Sequence, residues 1–199
     1  VQGFLKVDFT PAKLGVDFLA ISAHKIHAPK GIGAMYVRKG IKLPPMIVGG
    51  GQENGLRSGT EATAQMAAFA VAAREGKAHM KEHITHMEEI NAYARQQLME
   101  KVPGLQLLTT GGAPHVLPVS LVGYKSEVVL RFLSDRGVYV SSGSACHKGK
   151  PSHVLGAMGY SKQRADSALR ISFSKLNTRD DVDALAEGIA LGLKTLAHR

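Results

Sequence analysis

With 199 residues, 44% of them hydrophobic, the chain can bury one substantial core or one and a half small ones. It holds no apolar run of about 18 residues, so no membrane span is expected, and its single cysteine excludes an internal disulfide and fits a reducing, cytoplasmic setting. The net charge of +9 raises nucleic acid as a partner, but the Lys and Arg residues are scattered without interleaved aromatics and Trp is absent, so an attraction for anionic ligands or acidic proteins accounts for the charge better.

In chain order, Val1-Gln2-Gly3-Phe4 carries neither an initiator Met nor a signal-peptide pattern and reads as a chain already inside a domain. Residues 1–40 alternate short strand-like runs with turns: Val7-Asp-Phe9, a run ending at Ser22, and Gly33-Ala-Met-Tyr-Val37. The near-continuous apolar run Asp17–Ile21 predicts a strand buried on both faces of an α/β sheet. Between the last two runs lies Ser22-Ala-His-Lys-Ile-His-Ala-Pro-Lys-Gly31. Desolvation of a lysine between two apolar strands favours its neutral amine, which can attack a carbonyl. Lys25 therefore suits a Schiff base with pyridoxal phosphate, flanked by Ser22 and His24 as donors for the phosphate. Ser22-Ala-His-Lys25 also matches the Ser-x-x-Lys of penicillin-binding enzymes, but their Ser-Asp-Asn and Lys-Thr-Gly partners do not occur.

Ile41–Pro45 reads as a connector, followed by the Gly-rich stretch Ile47–Thr60, whose backbone amides can approach an anion. A helix starting near Thr60 and running to about Arg74 is predicted, then a break at Gly76 and a second helix from about Ala78 to Val102. The second carries Met80, Ile84, Met87, Ile90, Tyr93, Ala94 and Leu98 at helical spacing. His79-Met-Lys-Glu-His83, with His86 one turn on, satisfies a zinc-protease motif. Its neighbours Lys77, Lys81 and Glu88 make it a solvated face instead, and no metal is expected. Pro103-Gly104 stops this helix, and strands are predicted over 105–109 and 116–122, a helix capped by Ser126 to about Asp135, and a further strand at Val138–Val140. Ala168–Phe173 reads as another strand, and Thr178 as the cap of a last helix with Asp180 and Asp181 in its first turn. Strand, helix and strand in this order imply a compact α/β domain. The only thiol, Cys146, lies in the polar stretch Ser141-Ser-Gly-Ser-Ala-Cys-His-Lys-Gly-Lys150, where cationic neighbours favour the thiolate.

Four stretches carry a resemblance: Ser22–Gly31, Arg57-Ser-Gly-Thr60, Ser141–Cys146 and Leu169-Arg-Ile-Ser172. In the same order, they resemble the cofactor-lysine segment, a dimer-crossing loop, the catalytic-cysteine loop and the substrate-binding strand of cysteine desulfurases, of the class V aminotransferase group. The resemblance covers nearly the whole chain. It implies the C-terminal part of a fold-type I pyridoxal-phosphate enzyme, with residues 1–80 as the second half of the cofactor domain and 81–199 as a small α/β domain. It implies Lys25, Cys146 and His24 as catalytic residues, with Lys25 moving the proton at the substrate Cα. It implies Gln2, Ser22, His24, Lys25 and Thr60 as cofactor contacts, Gln2 near the pyridine hydroxyl and Thr60 reaching the phosphate of a second copy in a homodimer. Arg170 would fork the α-carboxylate of L-cysteine, a geometry a planar guanidinium suits. Cys146 would take the substrate sulfur as a persulfide, release alanine and pass the sulfur to an acceptor protein, supplying iron–sulfur clusters or thio-modification. Pro151-Ser-His-Val-Leu155 follows Lys150 directly, a shorter loop than some members have. Because the family's groups that stack on and protonate the cofactor ring would precede Val1, residues 1–199 alone are not expected to turn over. Two other readings stand beside this one: a related lyase or aminotransferase, such as one acting on selenocysteine, and a non-catalytic dimerising fragment.

Overall fold

The computed structural model describes residues 1–142 and 153–198. The chain forms two compact units, Val1–Lys81 and Glu82–Arg199.

In the first unit, Lys6 and Val7 donate their backbone N–H groups to the Gly3 carbonyl at 3.0 Å, closing a turn. Leu5, inside it, takes φ +59°, a left-handed conformation that costs a branched residue energy and persists only where the surroundings enforce it. Val7–Phe9 is therefore not the strand its composition predicts, because the turn runs directly into a one-turn helix, α1 (Pro11–Leu14). That helix has every local stop and start signal: Thr10 caps Lys13 N–H, Pro11 opens it, and Gly15 closes it at φ 65°.

Strands β1 (Phe18–Ser22) and β2 (Gly33–Val37) pair antiparallel, Phe18 opposite Val37 and Ser22 opposite Gly33. Gly33 is required there, since an added Cβ would sit 2.6 Å from the Ile21 carbonyl oxygen. The expectation of burial on both faces does not hold: Phe18 is 46% and Met35 57% exposed. Among the described residues β1 and β2 form a two-stranded sheet, which leaves part of its apolar surface uncovered. The Gly-rich stretch is an ordered loop closed at its neck by a parallel bridge between Ile47 and Arg57. Met46 N–H donates to the Leu56 carbonyl (3.1 Å) and Ser58 N–H to that of Ile47 (3.0 Å).

Helix α2 spans Thr63–Ala78, so Thr60 belongs to the loop rather than to the helix start. Gly76 does not break it. Its missing side chain instead leaves a notch for Leu5, whose Cδ1 lies 2.7 Å from where a Cβ would stand, and the helix ends at His79. Helix α3 (Met80–Lys101) then carries the predicted apolar stripe, with Met87, Ile90, Ala94 and Leu98 buried.

The second unit is built on the antiparallel sheet β3 (Gln106–Leu107), β4 (Val116–Ser120) and β5 (Ala168–Ser172), in the order β3-β4-β5. Helices α4 (Ser126–Ser134) and α7 (Arg179–Thr195) pack together, and α4 also touches β5. Leu98, Leu117, Leu133, Leu169, Val182 and Ile189 form the centre of the core. Ser126 is the first helical residue and not the cap; Lys125 occupies the cap position without a side-chain hydrogen bond. Thr178 and Asp181 close a reciprocal capping box at the start of α7 (Asp181 N–H to Thr178 Oγ1, 3.3 Å; Thr178 N–H to Asp181 Oδ2, 2.9 Å). Val138–Val140 forms no strand; the chain meets the sheet one residue later, as a single antiparallel bridge from Ser141 to Arg170. Two short helices, α5 (His153–Ala157) and α6 (Lys162–Asp166), seal a satellite core of Leu108, Leu155, Ala165 and Ala168. His86 does not lie on a solvated face. It is half-buried, its Nε2 2.9 Å from the Asn177 carbonyl oxygen. Among the described residues no helix is long and apolar enough to cross a membrane, and no three His, Cys, Asp or Glu side chains gather as metal ligands.

Candidate functional site

The cluster in the first unit is dictated by how β1 ends. At Ser22 the extended backbone (φ −125°, ψ 128°) gives way to a single 3₁₀ turn over Ala23–Ile26. Buried Ala23 and Ile26 pin that turn from beneath. Ala23 is tied by its N–H to the Ile32 carbonyl (3.1 Å), and its own carbonyl accepts from Ala28 N–H (3.1 Å). His27 closes the turn in the left-handed region at φ 67°. Ser22, His24 and Lys25 therefore leave a rigid hairpin loop within four consecutive positions. Ser22 makes no capping hydrogen bond with its hydroxyl, His24 is exposed and Lys25 is half-buried. Among the described residues no carboxylate pairs with Lys25; an ion pair elsewhere in this unit joins Arg38 to Asp17 at 3.2 Å.

One residue of this cluster escaped the sequence reading. Lys6 is half-buried, and burial, followed by the charge on Lys25, holds its ammonium below the ordinary lysine value of 10.5. No local motif marks it, since its burial depends on residues distant in sequence. Gln2, in the same N-terminal segment, is exposed, as is Thr60 beyond the glycine loop.

In the second unit, Arg170 occupies the middle of β5, opposite Pro118 of β4. On its other edge, Ser141 N–H donates to the Arg170 carbonyl at 3.1 Å and Arg170 N–H to the Ser141 carbonyl at 2.5 Å. The Arg170 side chain is half-buried, and its Nε is buried without a hydrogen-bond partner among the described residues. A buried guanidinium N–H left unmatched is costly, so this side chain is ready to receive an acceptor. Cys146 and its neighbours His147, Lys148 and Lys150 lie outside the described residues, as does any geometry of the sulfur chemistry.

The family described as aminotransferase class-V matches residues 1–185. The chain belongs to the class-V aminotransferase family. Within it, the chain is 38% identical over 191 residues to a cysteine desulfurase of Gluconacetobacter diazotrophicus, a match covering 94% of this chain and 48% of that protein. It is 36% identical over 198 residues to a probable mitochondrial cysteine desulfurase of Schizosaccharomyces pombe, covering 95% of this chain and 38% of the other. A solved NifS-like protein superposes with a TM-score of 0.87 at 37% identity, over 98% of this chain and 51% of that one. The chain thus spans about half the length, or less, of the class-V relatives it matches. The α/β architecture expected from the sequence is that of NifS-like enzymes, at 37% identity.

The residues on the hairpin fit a phosphorylated carbonyl cofactor. A lysine amine without an acidic partner, a hydroxyl not engaged in capping and an accessible imidazole stand on one short turn. Such a set can bind a phosphate and condense with an aldehyde.

Proposed function

We propose that this chain supplies the amine, the substrate-carboxylate clamp and the acceptor thiol of a pyridoxal-phosphate-dependent cysteine desulfurase. One observation carries the reading: the 3₁₀ turn after β1 sets Ser22, His24 and half-buried Lys25 side by side, with no carboxylate pairing Lys25 among the described residues. The cofactor, when bound, supplies an electron sink conjugated to the substrate Cα. The chain's own groups do the rest. Ser22 and His24 hold the phosphate, with Thr60 contributed by a second copy, and Gln2 lies at the pyridine hydroxyl. Arg170 grips the α-carboxylate of L-cysteine with its two-pronged guanidinium, and the unmatched Nε supports that role. Lys25, once its amine is free, takes or returns the proton at the substrate Cα. His24, beside it, orients the reacting groups. Cys146 as thiolate attacks the substrate sulfur; the C–S bond breaks with its electron pair left on the substrate carbon, which takes up a proton, the sulfur remains on Cys146 as a persulfide, and alanine leaves. The sulfur then passes to an acceptor protein. Residues 1–80 and 81–199 correspond on this reading to the latter part of a cofactor domain and to a small domain that carries Arg170 and Cys146.

Two variants of the full-length protein test this. Lys25→Ala should lose the borohydride-trappable pyridoxal-phosphate adduct together with turnover of cysteine. Cys146→Ser should keep the adduct but form no persulfide. An undiminished adduct on another lysine in Lys25→Ala, or unchanged sulfide release in Cys146→Ser, would reject the corresponding assignment.

A further inference from the structure

The turn Gly3–Val7 is one stiff piece of chain. Lys6 N–H and Val7 N–H share the Gly3 carbonyl at 3.0 Å, and Phe9 closes over Gly3, its Cε1 3.3 Å from where a Cβ would stand. Gln2 leads directly into this turn. Within it Leu5 takes φ +59°, a conformation a branched residue keeps only where its surroundings enforce it. Its side chain is seated on α2, in the notch at Gly76: Cδ1, Cγ and Cβ lie 2.7, 3.8 and 3.9 Å from where a Cβ at Gly76 would be. The same helix packs against the 3₁₀ turn that carries Lys25, and its Gln65 reaches the adjoining Gly31, Nε2 3.9 Å from that residue's Cβ position. One helix thus supports both the turn behind Gln2 and the turn of Lys25, the first of them through a single side-chain peg. We propose that Leu5 and Gly76 are positioning residues for the Lys25 site: the Leu5 peg in the Gly76 notch fixes Gln2 in register with the Lys25 turn, so that Gln2 meets an aldehyde ligand held there. This rests on the reading of Lys25 as the carbonyl-binding amine and Gln2 as a ligand contact, and assigns two residues which that reading does not use. The energetic logic is preorganisation. A side chain on a turn already fixed need not order its own segment when the ligand arrives, whereas the same side chain on a loosened turn must. The strained backbone at Leu5 is offset by burying its side chain against the helix.

The methyl added by Gly76→Ala would meet the far end of a flexible side chain, so Leu5 can rotate out of the notch while α2, which favours Ala over Gly, stays folded. Pyridoxal phosphate is titrated into the cofactor-free full-length protein, read as a dissociation constant and as the absorption band of the bound cofactor. The melting temperature of the cofactor-free protein is measured alongside. The proteins compared are wild type, Gln2→Ala, Gly76→Ala, Leu5→Ala and the doubles Gln2→Ala/Gly76→Ala and Leu5→Ala/Gly76→Ala. Gln2→Ala should bind about three- to tenfold more weakly, the loss of one hydrogen bond. Gly76→Ala should show a loss of the same order at an unchanged melting temperature. Adding Gly76→Ala to Gln2→Ala should weaken binding no further, because the contact acts through Gln2. Leu5→Ala/Gly76→Ala should recover part of the loss seen in Gly76→Ala, since the shorter side chain makes room for the new methyl. Wild-type affinity in Gly76→Ala, with or without a fall in melting temperature, overturns the proposal, as do additive losses in Gln2→Ala/Gly76→Ala. Should Gly76→Ala fail to fold, Leu5→Ala with and without Gln2→Ala carries the same comparison. Borohydride trapping of the wild type keeps the site reading apart from the inference. An adduct on a lysine other than Lys25 rejects that reading, and the positioning role with it, before any variant is compared.

Discussion

A lysine whose ammonium is disfavoured in the folded chain leaves a mark on stability. Lys6 is held below 10.5 by burial and by Lys25. Below its folded value the protonated group therefore costs the native state free energy. That cost fades as pH rises through the depressed value and is gone above the ordinary lysine value, where both states are neutral. Lys6→Met should thus raise the melting temperature of the cofactor-free full-length protein at pH 7 and lose that advantage as pH approaches 10.5. An equal gain at both pH values would mean that packing, not charge, separates the variants. Arg170 is a contrasting case. Its Nε, buried without a hydrogen-bond partner among the described residues, is a group suited to an acceptor.

At the level of elements, glycines separate what is rigid from what is merely permissive. Gly33 faces the Ile21 carbonyl across the hairpin, so Gly33→Ala should pry β1 from β2 and cost about 1–3 kcal/mol in urea unfolding. Gly156, within α5, has open space at its Cβ position, and Gly156→Ala should be neutral or stabilise by up to about 1 kcal/mol. Reversed signs would undo the packing described for β1 and β2. The same contrast explains what the sequence could reveal. The stripe of α3, the Thr178–Asp181 capping box and the Ser22–Lys25 turn were legible because each is written in neighbouring residues. Helix α1 was equally legible through Thr10, Pro11 and Gly15, and composition alone drew attention to Val7–Phe9 instead. Gly76 misled the reading because its role is a contact with Leu5, far away in sequence, and a glycine in a helix looks the same whether it breaks the helix or admits a neighbour. Val138–Val140 has the β-branched composition of a strand but not the pairing; only Ser141 bridges β5. Lys6 was invisible for a similar reason: its burial, like the role of Gly76, depends on residues distant in sequence.

At the scale of the molecule, the first unit displays apolar surface around the closed glycine loop, where Met46 is 88% and Val48 82% exposed. Exposed apolar side chains on an ordered loop mark a surface for association, which supports the proposed exchange of Thr60 between copies. Mixing a Thr60→Ala full-length protein with a Lys25→Ala one should yield hybrid dimers with one doubly impaired site and one intact site, so activity absent from Lys25→Ala should reappear. No recovery despite demonstrated subunit exchange would confine Thr60 to its own chain. A different consequence follows from the paired backbone bonds between Ser141 and Arg170. They add a second set of backbone bonds to β5, on the edge that β4 does not use. Arg170 is thereby held from both edges of its strand, by β4 on one side and by Ser141 on the other, so its backbone position is clamped twice over.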